Sequence, residues 1–324
     1  MGPLLADDGR QFSIVDEECT PEVGMRFRWL VGVLVCSLVA VMALPVAAEE
    51  DEETDGDGAL VAPQEFVHES QVQIRATPVG LSLFSNTGYR FGLFGDAEGA
   101  LFEDRYFDVG ASTAFSPAYA WGGPYLEIEP IAVLNLRVAF MGMGYFGTFG
   151  HLYVPGDDPD GEPGMWDDDA LDRAWEDDLG AGSTGWKLHV QATPQIMVGR
   201  LVATSESSYR RIDMDVDDAY YEPYFDILLE PTEDLLKFRP TLGYLFGEDL
   251  EESHFLLGLR WERAMALQAD VARDTVGVVF DWGVPSELME WGSPGVSGFG
   301  GVFIDHPTRG TVSPYFGMQA SVQF

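Results

Sequence analysis

From about residue 69 to its end, the chain alternates apolar and polar residues in short segments separated by Gly, Pro, Asp and Asn. In QVQIRAT, Val72, Ile74 and Ala76 alternate with Gln71, Gln73, Arg75 and Thr77. Leu126 and Ile128 alternate with Glu127 and Glu129, and Leu136 and Val138 flank Arg137. Trp186, Leu188 and Val190 are set against Lys187 and His189, Phe238 lies between Lys237 and Arg239, and Trp261 lies between Arg260 and Glu262. A period of two places one side-chain set on each face of a strand, so each segment predicts a β-strand with an apolar and a charged face. Thirteen such segments stand out, at 70–77, 80–93, 104–114, 116–130, 133–148, 184–193, 196–209, 219–229, 235–246, 254–267, 270–281, 296–305 and 311–323. Some connections are expected to be tight, such as Thr193–Gln195 and Glu230–Asp234, and one long, from His151 to about Ser183.

Alternation alone fits two architectures. In a soluble sandwich the apolar faces meet in a core and the charges face water. In a membrane barrel the apolar faces meet lipid and the charges face the lumen. Aromatic residues near segment ends favour the barrel, because amphipathic rings suit the two lipid–water interfaces. These are Tyr119, Trp121 and Tyr125; Tyr145, Phe146 and Phe149; Tyr220, Tyr221 and Tyr224; Tyr244 and Phe246; and Phe280 and Trp282.

The N-terminal region predicts export. Residues 25–48 combine Arg26 and Arg28, an uncharged stretch from Trp29 to Leu44, and small residues at Val46 and Ala48. This is the pattern of a signal peptide cleaved after Ala48. The apolar run is short for the ~20 residues of a membrane anchor. Val35 before Cys36 does not fit a lipoprotein site, which wants a small Gly or Ala there. Residues 1–24 are acidic where a signal peptide is basic, which points to Met25 as the true initiator. Residues 49–68 read as an acidic, disordered leader, and 69–324 as the folded domain.

The last residues narrow the choice. Phe316, Met318, Ala320, Val322 and Phe324 alternate with Gly317, Gln319, Ser321 and Gln323. This resembles the closing strand of Gram-negative outer-membrane proteins, although Val322 stands where that family often has an aromatic residue. The resemblance implies an all-β, antiparallel transmembrane barrel in the outer membrane. It also implies that these five positions are read by the barrel-insertion machinery, with outer-membrane lipid as the other partner. Single-chain bacterial barrels have even strand numbers. Twelve is therefore the expectation, within a range of ten to fourteen, and one of the thirteen segments is surplus. With thirteen strands, placing the long acidic loop outside puts the C-terminus on the wrong side of the membrane.

Composition restricts the chemistry. There are 18 Lys and Arg against 54 Asp and Glu, a formal charge of −36. That excludes a nucleic-acid binder, which needs a basic footprint. Cys19 and Cys36 both precede the expected cleavage point, so the mature chain has no thiol chemistry. The segment Pro155–Leu179 is rich in acids, and Asp157, Asp158, Asp160 and Glu162 are weak calcium candidates. Gly156 stands where the calcium-loop pattern wants its first Asp, and a solvated external loop is the simpler reading. No cofactor motif is present. His68 and Ser70 have a spacing found in outer-membrane phospholipases, with no third member identifiable from sequence. Asp305-His306 falls in a predicted turn, and no catalytic constellation emerges.

The polar strand faces give the candidate lumen: Arg75, Glu127, Glu129, Arg137, Lys187, His189, Asp226, Lys237, Arg239, Arg260 and Glu262. Buried charges pair or stay hydrated. Two functions follow from that rule. A hydrated lumen makes a channel or uptake barrel for small hydrophilic solutes. A fully paired lumen makes a non-conducting structural or surface barrel. A lipid-modifying barrel enzyme is the third expectation.

Overall fold

Alternating sequence becomes strand throughout the described residues of the computed structural model, which are 64–76, 79–93, 105–147, 152–154, 173, 176–177, 180, 182–247, 254–283, 293–308 and 313–323. In chain order the strands are β1 (Gln64–Ala76), β2 (Val79–Gly92), β3 (Tyr106–Phe115), β4 (Tyr119–Ile131) and β5 (Leu134–Phe146). Next come β6 (Gly182–Val198), β7 (Leu201–Met214), β8 (Tyr220–Glu222), β9 (Ile227–Leu229) and β10 (Thr232–Phe246). The last are β11 (His254–Ala266), β12 (Val271–Gly283), β13 (Ser293–Asp305) and β14 (Pro314–Gln323). Twelve of them form one closed antiparallel barrel, and β8 and β9 pair only with each other. Closure is made by β1 and β14, with Ser70 opposite Val322, Val72 opposite Ala320 and Ile74 opposite Met318.

The two faces are inverted relative to a soluble protein. Val72, Ile74, Leu83, Leu126, Val138, Phe140, Leu257, Leu259, Phe316 and Met318 all point outward and are exposed. Arg75, Lys187, Arg210, Lys237, Glu262 and Arg273 point inward and are buried. A continuous exposed apolar surface of this kind is stable against acyl chains and unstable against water. The sandwich alternative is thereby excluded.

The surplus segment is 219–229. It reads as a strand and forms strands, but β8 and β9 are a short hairpin outside the wall. Removing it from the wall leaves twelve strands. It also places the 147–181 connection at the mouth opposite the one where β1 begins and β14 ends. These are called the hairpin mouth and the terminal mouth below.

Two expected turns also move. Thr193–Gln195 lies inside β6, and the turn comes at Gly199, whose φ of 62° is natural for glycine. Pro194 is tolerated because the β6–β7 ladder skips from Ala192↔Ser207 to Gln195↔Thr204. The expected tight turn at Glu230–Asp234 is the return from the hairpin into β10. At the other end β1 starts at Gln64, inside the expected leader, with Phe66 opposite Tyr89.

The aromatic residues divide between belt and lumen. Near the terminal mouth, Phe66–Tyr89 and Phe91–Phe107 make ring contacts on β1–β3, and Tyr244, Phe246, Phe255 and Phe280 form a run of them on β10–β12. Tyr119, Tyr125 and Tyr145 point inward and are buried, and Trp121 is partly buried against the same core. Tyr220, Tyr221 and Tyr224 belong to the hairpin segment. Those seven residues are not part of an interfacial girdle, and Phe149 lies outside the described residues.

Phe140 is exposed midway along β5, while Gln191 is an inward residue of β6. Phe140→Arg is expected to destabilise the barrel by about 2–4 kcal/mol in urea unfolding from lipid vesicles. Gln191→Arg is expected to change stability by less than about 1 kcal/mol in the same measurement, because its head remains in the polar lumen.

Candidate functional site

The chain leaves the wall after Met214, turns inward, and rejoins the wall at Thr232. Between these points, Tyr220–Glu222 and Ile227–Leu229 are buried at every position. Tyr220, Ile227 and Leu229 have 0% exposure. They can enter because the inward positions of the wall at this level are themselves apolar. Ile212, Met214, Leu235, Ala264 and Ala266 join the hairpin in one cluster, with Leu152 from the neighbouring connection. The hairpin therefore fills the lumen near its mouth as a small apolar core.

Polar anchors fix its tip. Arg75 donates from Nη1 to the Tyr224 carbonyl at 2.6 Å and from Nη2 to the Pro223 carbonyl at 3.0 Å. Arg273 donates to the Phe225 carbonyl from the other side. The Arg75 guanidinium lies 5.3 Å from the Tyr224 ring centre, and that of Arg210 lies 4.8 Å from the Phe225 ring centre. Within the turn, Glu222 accepts from the Phe225 amide and from the Tyr145 hydroxyl. Tyr221 donates to Asp226 at 2.7 Å, and His306 Nε2 lies 3.4 Å from the other Asp226 oxygen. Asp226 adopts a left-handed φ of 53°, which an Asp tolerates at a turn. Burial pushes the Glu222 carboxyl above its ordinary range, against the hydrogen bonds from Tyr145 and Phe225 and the nearby charge of Arg75.

Towards the terminal mouth the lumen is charged. Arg90 grips Asp108 with two bonds of 2.9 and 2.8 Å. Arg137 pairs with Glu127 at 2.9 Å and donates to Asn86 at 2.7 Å. Arg105 pairs with Glu129, and Arg239 with Glu206. Glu262 holds Lys237 at 3.1 Å and Arg273 at 2.9 Å. The Glu262 pairs are buried, but the Arg239–Glu206 pair is not sealed from solvent. The Arg239 and Glu206 side chains retain 30% and 19% exposure on the inner wall, where the hairpin core retains none.

All the sequence-derived lumen candidates except Asp226 occupy inward wall positions. Asp226 sits in the hairpin turn, because its segment is the surplus strand. The sequence reading missed Glu206 and Arg210, which lie in SESSYRRIDM. Polar residues on both faces there hide the alternation. It also missed Arg273, where the outward neighbour Asp274 is charged too and pairs with Arg263. Phe316, Met318, Ala320 and Val322 line the outer face of β14. Phe324 and the calcium candidates Asp157, Asp158, Asp160 and Glu162 lie outside the described residues.

His68 and Ser70 point outward, towards lipid, one step inside the Phe66–Tyr89 contact. Ser70 Oγ is 2.9 Å from His68 Nε2, and Thr87 Oγ1 on β2 is 2.7 Å from His68 Nδ1. His306 lies beside the hairpin, accepting from the Thr308 amide at 3.3 Å.

A closed twelve-stranded wall with an apolar exterior and a charged interior defines a transmembrane β-barrel of the outer-membrane kind. No protein-family model and no curated protein sequence matches the chain. Solved structures are similar in fold. The β domain of the Bordetella autotransporter BrkA is 10% identical with a TM-score of 0.43, over 82% of this chain and 100% of that one. The KdgM porin is 8% identical with a TM-score of 0.34, over 80% and 98%. The NanC porin is 6% identical with a TM-score of 0.37, over 79% and 98%.

The raised pKa of Glu222 gives hairpin seating a pH dependence of definite sign. Seating binds a proton that the released hairpin gives up, so it weakens as pH rises above the ordinary glutamate range. Amide protection at 220–229, taken relative to the intrinsic exchange rate at each pH, is expected to be greater at pH 5 than at pH 8. In Glu222→Gln that difference in protection is expected to disappear.

Proposed function

We propose that this protein is an outer-membrane channel for small hydrophilic solutes, with the Tyr220–Leu229 hairpin as its constriction. The observation that carries the reading is the contrast in solvent access within one lumen. Charged wall residues such as Arg239 and Glu206 keep water contact, while Tyr220, Ile227 and Leu229 of the hairpin have none. A structural plug would need no wetted, charged vestibule beneath it, and hydrated mixed charge is what a polar solute path requires. The exposed apolar face of β14 is, in the same reading, the surface offered to the insertion machinery.

Planar-bilayer recording tests this. The intact barrel is expected to conduct in small, infrequent steps. Replacing residues 219–230 by a short Gly-Ser linker is expected to raise single-channel conductance several-fold. If neither protein conducts across a range of salts and voltages, the barrel is non-conducting.

A second reading rests on the outer wall. With its proton on Nδ1, His68 donates to Thr87 and accepts from Ser70, the arrangement of a serine nucleophile, its base and an orienting group. One step from the aromatic belt, these atoms sit where acyl esters of membrane lipid lie. Ser70 attack on the ester carbonyl, with its proton passing through His68 to the leaving alcohol, gives an acyl-serine that water resolves. Incubating the barrel with phospholipid is expected to release fatty acid, and Ser70→Ala is expected to remove at least 99% of that release. Equal release by the variant, or none by the wild type, would sink this reading.

A further inference from the structure

Beneath the hairpin tip the charge balance of the lumen fails. We propose that Lys187, His189 and Arg210 form a binding site for a solute bearing oxyanion groups, carboxylate or phosphate; this rests on the lumen being the solute path. The three residues share one inner surface of β6 and β7, with His189 directly opposite Arg210. Lys187 and Arg210 are buried, at 5% and 6% exposure. Among the described residues, neither has a carboxylate within 4.0 Å. Lys187 Nζ rests 3.6 Å from the Trp121 ring centre. Arg210 stacks on Phe225 and donates to Ser208 at 2.8 Å. His189 Nε2 is buried with no hydrogen-bond partner.

The carboxylates of this layer are committed elsewhere. Glu206 serves Arg239, Glu262 serves both Lys237 and Arg273, and Glu222 serves Tyr145 and the Phe225 amide. Unneutralised cations therefore remain inside a chain whose formal charge is −36. Buried charge is retained at this cost only when something pairs with it. An ammonium, a guanidinium fork and an imidazole nitrogen on one inner surface match the oxygens of a carboxylate or phosphate. The aromatic roof provided by Phe225 excludes water from one side, which strengthens those contacts. Arg210 touches both the site and the hairpin tip, so an anion that recruits Arg210 also draws on the contact holding the tip.

Binding can be read without any conductance. Trp121 lies against Lys187, so its fluorescence reports the site in the full detergent-solubilised barrel. The probes are citrate for the carboxylate arm, inorganic phosphate for the phosphate arm, and glucose as a neutral control. Saturable quenching by citrate, by phosphate or by both is expected, with none from glucose. A calorimetric titration of Trp121→Phe should retain the binding while the quenching is lost. Lys187→Met and Arg210→Met are each expected to weaken binding at least tenfold, while Lys187→Arg, which keeps the charge, stays within about threefold. Retained heat-modifiable gel migration certifies that each variant is folded. Citrate alone assigns a carboxylate solute and phosphate alone a phosphate solute. No saturable binding of either anion, or binding indifferent to both Met variants, overturns the site. Binding without conductance removes the channel reading and leaves the site standing, whereas conductance without binding does the reverse.

Discussion

Everything in this molecule depends on the pairing of β1 with β14. In hydrocarbon no water is present to satisfy an unpaired N–H or C=O, so an open sheet edge is not tolerated. Pairing Ser70–Ile74 against Val322–Met318 removes both edges at once. Only after closure is there an inside, and only an inside permits Arg, Lys and Glu to occupy every second position of strands that cross a membrane. The charged interior is a consequence of backbone chemistry as much as of side-chain chemistry.

The interior is zoned along its axis. At the hairpin mouth, inward residues are apolar and bury a tightly packed hairpin. Below, inward residues are charged, and most of the cations have carboxylate partners. The two zones meet at the hairpin tip, where Arg75, Arg210 and Arg273 come from three separate wall strands to hold backbone carbonyls and ring faces. Backbone carbonyls accept hydrogen bonds without carrying a full charge. Cations used as anchors in this way are not neutralised by what they hold, and the positive excess around Arg210 follows from that choice of anchor.

Much of this was legible in the sequence. Alternation gave the wall and its charged lining, because a period of two assigns faces directly. Alternation would also have placed Tyr125 on the inner face, since it precedes the outward Leu126, but the sequence reading put it in the interfacial belt. Proximity to a strand end was the wrong criterion for that ring. The hairpin was not legible, because YYEPYFDILL has the aliphatic and aromatic content of a wall strand and periodicity does not reveal which partners a strand finds. Only parity marked one segment as surplus. The start of β1 was hidden for a different reason. His68 and Ser70 place polar groups on the lipid face, satisfied by one another and by Thr87, so the alternation fades where the strand is real.

The grip on the hairpin tip also constrains the order of assembly. Arg75 lies 149 residues before Tyr224, and Arg273 lies 48 residues after Phe225. Contacts at such separations form late, because long loops must close first. One anchor stands on the first wall strand and the other on the tenth, so the hairpin is held from both sides only as the wall is curling shut. A tip that missed this moment would face a finished ring, with its mouth as the only way in. The hairpin is thus a late passenger, seated as the wall closes around it, while the circumference itself is set by the twelve strands and their stagger.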